Sequence, residues 1–156
     1  MEIWFSEFHT PDVRHSIRVN RHLYSEKSSY QQIDIFDTPE FGRVLTLDGS
    51  VVITERDEFI YDEMITHIPM AVHPNIRDVL VIGAGDGGAV KELARYDSIQ
   101  CIDLVEMDPM VLEACRRYLP ENASRLDDSR VNIYFDNALR FIRRCKNEYD
   151  LIIVDS

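Results

Sequence analysis

The chain has 156 residues, 45% of them hydrophobic, which suits one domain or a small module joined to a larger one and excludes a disordered chain. A net charge of -11 argues against a nucleic-acid partner, which would need clustered Lys and Arg, and favours a cationic ligand wherever the acids line a pocket. No apolar run approaches the roughly 20 residues that span a membrane, and residues 1–7 lack the basic start of a signal peptide, so a cytoplasmic protein without a membrane partner is expected.

Up to residue 55, short segments alternate β-branched or aromatic residues with polar ones. Residues 30–36, 43–47 and 51–53 read as antiparallel strands. Asp37-Thr38-Pro39 and Phe41-Gly42 mark the first turn between them, and Asp48-Gly49, both tolerant of positive φ, marks a hairpin. From Asp57 the spacing becomes helical, with Phe59, Ile60, Met64, Ile65 and Ile68 on an apolar face until Pro69 and Pro74 end it. Strands and helices then alternate: strand 79–82, helix 87–96, strand 101–106, helix 109–118, strand 131–135, helix 138–145 and strand 151–154. Near-continuous apolar strands separated by helices predict a parallel sheet covered on both faces.

The expected fold class is therefore α/β. A small antiparallel β-module, residues 1–55, precedes an incomplete Rossmann-like parallel sheet for an S-adenosyl ligand, residues 56–156. The last strand, Leu151, Ile152, Ile153 and Val154, asks for burial on both faces, yet no later strand pairs with it. The sequence thus reads as truncated, with an association-prone edge. Cys101, Cys115 and Cys145 fall in no metal-ligand spacing and read as reduced thiols, so no metal is expected.

The candidate site begins at Gly83-Ala84-Gly85-Asp86-Gly87-Gly88, a glycine loop between a buried strand and a helix, where a ligand can approach the backbone closely. Gly83, Gly85 and Gly88 satisfy GxGxxG, and Glu106 ends the following strand, where a carboxylate can accept from both hydroxyls of a ribose. A dinucleotide and an S-adenosyl ligand both fit this frame. Asp86 favours the second, because an aspartate in the loop repels a pyrophosphate and attracts a sulfonium or ammonium. Asp136-Asn137-Ala138 and Asp155-Ser156 follow the next two strands at the carboxyl ends where open α/β sheets bind ligands. Asn137 can read an adenine amino group, and Asp or Asn at such a junction can instead cap a helix.

Segments along essentially the whole chain resemble the polyamine aminopropyltransferases of the spermidine synthase type. They are Trp4-Phe5-Ser6-Glu7, Glu26-Lys27-Ser28-Ser29-Tyr30-Gln31, the run from Phe41 to Gly49, Asp57-Glu58-Phe59-Ile60-Tyr61-Asp62-Glu63-Met64, and the run from Tyr149 to Ser156. The resemblance implies transfer of an aminopropyl group from the co-substrate decarboxylated S-adenosylmethionine to a diamine such as putrescine, with no prosthetic group, in a homodimer or homotetramer. It implies that the first module serves oligomerisation and as a substrate lid. Gln31 and Glu106 would hold the thioadenosine, with Asn137 and Ala138 at the adenine. Asp86 would take the ammonium of the aminopropyl arm, Tyr61 and Asp62 the diamine, and Asp155 would be the base. The family usually has Tyr-His-Glu-Met where this chain has Tyr61-Asp62-Glu63-Met64, and Asp-Gly at Asn137-Ala138. A loop expected after the Asp-Ser pair is not in the sequence, so weak or no turnover is expected of these residues alone. Methyl transfer from S-adenosylmethionine, and a non-catalytic oligomerising remnant, are the alternatives.

Overall fold

The computed structural model describes residues 2–146 and 148–155; Ser156, second of the Asp-Ser pair, lies outside them. The chain divides into two compact units, Met1–Glu58 and Phe59–Ser156.

The first unit is built from six antiparallel strands. β1 (Ile3–Thr10) and β2 (Val13–Val19) form a hairpin, and β3 (Arg21–Lys27), β4 (Gln32–Thr38), β5 (Gly42–Leu47) and β6 (Ser50–Thr54) form a sheet in that order. Asp48 and Gly49 join β5 to β6 with φ values of 50° and 81°, the left-handed pair that matches the twist of a hairpin. Ile33, Ile35, Val44 and Leu45 are at most 1% exposed and form its interior. The strands β1 to β3 add to the three expected from the sequence. Their alternation is hard to see because most of their positions are exposed, so charged residues and histidines occupy them as readily as apolar ones.

The second unit opens with α1 (Glu58–Val72), followed by β7 (Asp78–Gly83), α2 (Gly88–Leu93), β8 (Cys101–Glu106), α3 (Pro109–Tyr118), β9 (Val131–Phe135), α4 (Ala138–Arg144) and β10 (Leu151–Asp155). The four strands run parallel in the order β10-β7-β8-β9. Alternate side chains go to opposite faces. Val79, Val81, Ile102 and Leu104 pack with α2 and α3, whereas Leu80, Ile82 and Val105 pack with Ala138 and Phe141 of α4. Burial on both faces explains why β7 and β8 read as near-continuous apolar runs, whereas the outer strands β9 and β10 leave Tyr134, Phe135, Ile152 and Val154 exposed, against the expected cover on both faces.

Helix α1 departs from its expected form in two ways. Pro69 lies inside it, so the helix continues to Val72. Its fully buried residues are Asp62 and Thr66, while Phe59, Ile60, Met64 and Ile68 are about half exposed. The buried line is therefore polar, with Ile65 and Met70 beside it against the core. Its second half is fixed to α2 by polar groups. His67 Nε2 meets Glu92 Oε2 at 3.0 Å, His67 Nδ1 meets the Tyr96 hydroxyl at 2.7 Å, and Arg95 donates to the same Glu92 oxygen at 2.5 Å. Glu63, His67 and Glu92 also place possible ligand atoms within 4.8 Å of one another, but Arg95 already neutralises the shared carboxylate.

Candidate active site

The glycine loop takes its shape from backbone that L side chains rarely adopt. Gly83 and Gly87 have φ values of 79° and 94°, and Ala84 joins them at 56°. Such a conformation costs a non-glycine residue about 1 kcal/mol, and Ala84 is held in it by a hydrogen bond from its N–H to the Asp155 carbonyl at 3.2 Å and by one to its own carbonyl from the Gly87 N–H at 3.0 Å. The register of β10 against β7, with Asp155 opposite Gly83, brings the end of the last strand onto this loop.

Each of the next three glycines leaves room for a neighbour. A Cβ at Gly85 would lie 2.6 Å from Glu106 Oε2, one at Gly87 2.9 Å from the Asn122 carbonyl, and one at Gly88 2.0 Å from Asp62 Oδ2. Glu106 thus closes on the loop from the end of β8. Burial raises its carboxyl above the usual range, against the lowering effect of the Asp108, Met107 and Gly85 amides. Asp86 is 8% exposed and accepts from the Gly88 N–H at 2.8 Å through Oδ1. Behind the loop the buried Cys115 of α3 has its thiol pushed well up, first by burial and then by the charges of Asp86 and Glu106.

Four of the residues singled out in the sequence come together. The Tyr61 hydroxyl of α1 donates to Asp155 Oδ1 of β10 at 2.8 Å. Burial of that hydroxyl, this bond, and the charges of Asp155, Asp62 and Asp86 push Tyr61 up to about 12. The tyrosine thereby registers carboxylates from three elements: α1, the loop and β10. Such a concentration of negative charge recognises a cation.

On the far side of β8 the Asp136 N–H donates to the Glu106 carbonyl at 3.1 Å, which ties the start of α4 to the same strand end. Asn137 caps α4, its Oδ1 accepting from the Arg140 N–H at 3.2 Å. Asp136 is ion-paired with Arg140 and Arg144. Burial opposes its ionisation, but these arginines and the Asn137 amide hold its carboxyl below the usual range. Of the two roles open to these residues, the helix cap thus falls to Asn137, and Ala138 begins the helix. Gln31 stands in the first unit, at a turn where its N–H donates to Ser28 Oγ at 3.1 Å.

One position and one contact escaped the sequence reading. Asp108, 1% exposed, caps α3 by accepting from the Met110 N–H at 3.1 Å and sends its own N–H to Glu106 Oε1 at 2.8 Å. The Asp108-Pro109 pair carries that signal, since aspartate favours the cap and proline the first turn. The contact of Asp62 with Gly88 has no local signal, because it joins α1 to a loop beyond the next strand.

Comparison with known proteins extends the geometry. Residues 58–156 match the spermine/spermidine synthase domain, and residues 3–55 match the spermidine synthase tetramerisation domain. A polyamine aminopropyltransferase of Alkaliphilus oremlandii is 58% identical over 156 residues, all of this chain and 55% of that protein. One from Clostridium botulinum has the same identity over the same spans. The crystal structure of spermidine synthase from Thermotoga maritima superposes with a TM-score of 0.95 at 44% identity, over 99% of this chain and 54% of that one. A spermidine synthase in complex with the transition state analogue AdoDATO matches equally well. The chain spans about half the length of the curated relatives it matches.

Proposed function

The chain belongs to the spermine/spermidine synthase family, and from that premise we propose that its site transfers an aminopropyl group from decarboxylated S-adenosylmethionine to a diamine, with putrescine as the first acceptor to test. The observation that carries this reading is the convergence of Tyr61, Asp62, Asp86 and Asp155 beside a glycine loop closed by Glu106. A diamine is dicationic near neutral pH, yet only its free amine is a nucleophile, so the site must attract cations and remove one proton. The carboxylates do the first. Asp155, oriented by Tyr61, does the second.

The amine nitrogen then attacks the methylene carbon bound to the sulfonium. A C–N bond forms, the C–S bond breaks with its electron pair going to sulfur, and methylthioadenosine leaves as a neutral thioether. The secondary ammonium formed leaves with the product, and the proton that Asp155 took from the amine before attack passes to solvent. Asp86 holds the ammonium of the aminopropyl arm, and Glu106 accepts from the ribose hydroxyls in the place where it now closes on Gly85. Asn137 and Ala138 lie at the adenine end, with the backbone of α4's first turn left for the base. Gln31 enters the proposal through its motif alone. Holding amine and carbon in line contributes much of the rate, because it removes the entropy of the encounter.

We further propose that residues 3–55 assemble the chain with copies of itself, as a dimer or tetramer. The test supplies decarboxylated S-adenosylmethionine with putrescine, cadaverine or agmatine to the product of the complete reading frame and follows methylthioadenosine by mass spectrometry. Product is expected, and Asp155→Asn should slow its formation by about 10²–10⁴-fold. Methyl transfer from S-adenosylmethionine instead would overturn the reading.

A further inference from the structure

Asp62 and Tyr61 are neighbours on α1 but face different ways. Tyr61 is 54% exposed and reaches Asp155; Asp62 is 3% exposed. The Asp62 carboxylate fills the space that a side chain at Gly88 would need, since a Cβ there would lie 2.0 Å from Oδ2, 2.4 Å from Cγ and 2.6 Å from Oδ1. Gly88 lies within the helix α2 and, unlike Gly83 and Gly87, has no positive φ. Glycine is required at this position for room alone, and Asp62 is what takes the room. The Gly88 N–H is in turn held by Asp86 Oδ1 at 2.8 Å.

Resting on the function proposed above, we propose that Asp62 is a positioning residue, which seats the glycine loop through Gly88 and so sets the affinity for the thioadenosine part of the donor. Its place next to Tyr61 along α1 then links the two substrates: the residue beside Tyr61 fixes the backbone that aims Asp86. At 3% exposure little of Asp62 is left for direct contact with an amine. Truncating it would open a void over Gly88. Helix α1 could not slide in to fill it, because His67 ties the next turn to Glu92 of α2. A displaced loop moves Asp86 and the ribose site together, and shifts of this kind cost binding and rate steeply.

The test is a double-mutant cycle on the full chain with Asp62→Ala, Gly88→Ala and both, followed by melting temperature and by calorimetric titration with methylthioadenosine. Asp62→Ala should weaken methylthioadenosine by about tenfold, with Asp62→Asn, which keeps the shape, losing less. Gly88→Ala should lower the melting temperature sharply in the unaltered chain but change it little when residue 62 is alanine, because the methyl then enters the vacated space. If Gly88→Ala does not fold by itself, recovery of a cooperative melt in the double variant supports the contact, and failure in both backgrounds overturns it. Unchanged methylthioadenosine affinity in Asp62→Ala overturns the positioning role. An unaltered chain that binds no methylthioadenosine overturns the proposed function and the affinity claim together, while the melting cycle decides the Asp62–Gly88 contact separately.

Discussion

Tyr61 joins the acidic side chains of the site into one electrostatic unit. Its hydroxyl donates to Asp155, so removing its proton would set a phenolate against a carboxylate, and burial with this bond lifts it to about 12 from the ordinary tyrosine value near 10. The folded chain therefore holds this proton more tightly than the unfolded chain does. The resulting stabilisation is whole below about pH 10 and is lost as pH rises through about 12. Titrating phenolate absorbance, the difference between the unaltered chain and Tyr61→Phe should appear only near pH 12. A difference that develops around pH 10 would show that the hydroxyl is not bonded to Asp155 in solution.

Among the elements, α2 is short and depends on a remote arginine. Arg130, at the entry to β9, donates to the carbonyls of Ala94 at 2.7 Å, Tyr96 at 2.9 Å and Ile99 at 3.3 Å, and is itself held by Asp128. It thus satisfies the carboxyl end of the helix whose amino end carries the glycine loop. Arg130→Ala should destabilise the chain by about 2 kcal/mol in urea unfolding, because part-buried carbonyls lose charged donors. The hydrogen bonds from Arg130 hold Asp128 down to about 2, so its contribution is present above about pH 4 and fades as pH falls through 2. Asp128→Asn should remove that acid-side loss from the pH profile of stability.

The central strands β7 and β8 were legible in the sequence because burial on both faces leaves them almost wholly apolar, and the boundaries of β8, α3 and β9 coincide with those expected. Strands β1 to β3 were not, since exposure on their outer faces erases the alternation that marks a strand. The apolar pattern of α1 pointed to the wrong line of the helix. Asp62 and Thr66 are buried there, Asp62 against Gly88, a requirement that hydrophobic periodicity cannot express. The loop itself was legible as a glycine-rich turn between β7 and α2, but the partner that makes each glycine necessary, Glu106 at Gly85 or Asp62 at Gly88, became visible only in three dimensions.

For the molecule as a whole, a net charge of -11 surrounds a site whose proposed substrates are cations. Added salt screens such attraction, with a Debye length falling from about 10 Å at 0.1 M to about 3 Å at 1 M. The KM for the diamine should therefore rise with ionic strength while the affinity for methylthioadenosine, a neutral thioether, stays nearly level. Equal responses of the two ligands would mean that the carboxylates do not act on the acceptor. The hydrogen bond from Ala84 to the Asp155 carbonyl has a bearing on measurement. That single amide sits in the loop but is protected by the final strand. Its exchange with deuterium is a clock for fraying of β10, and a ligand seated on the loop should slow it.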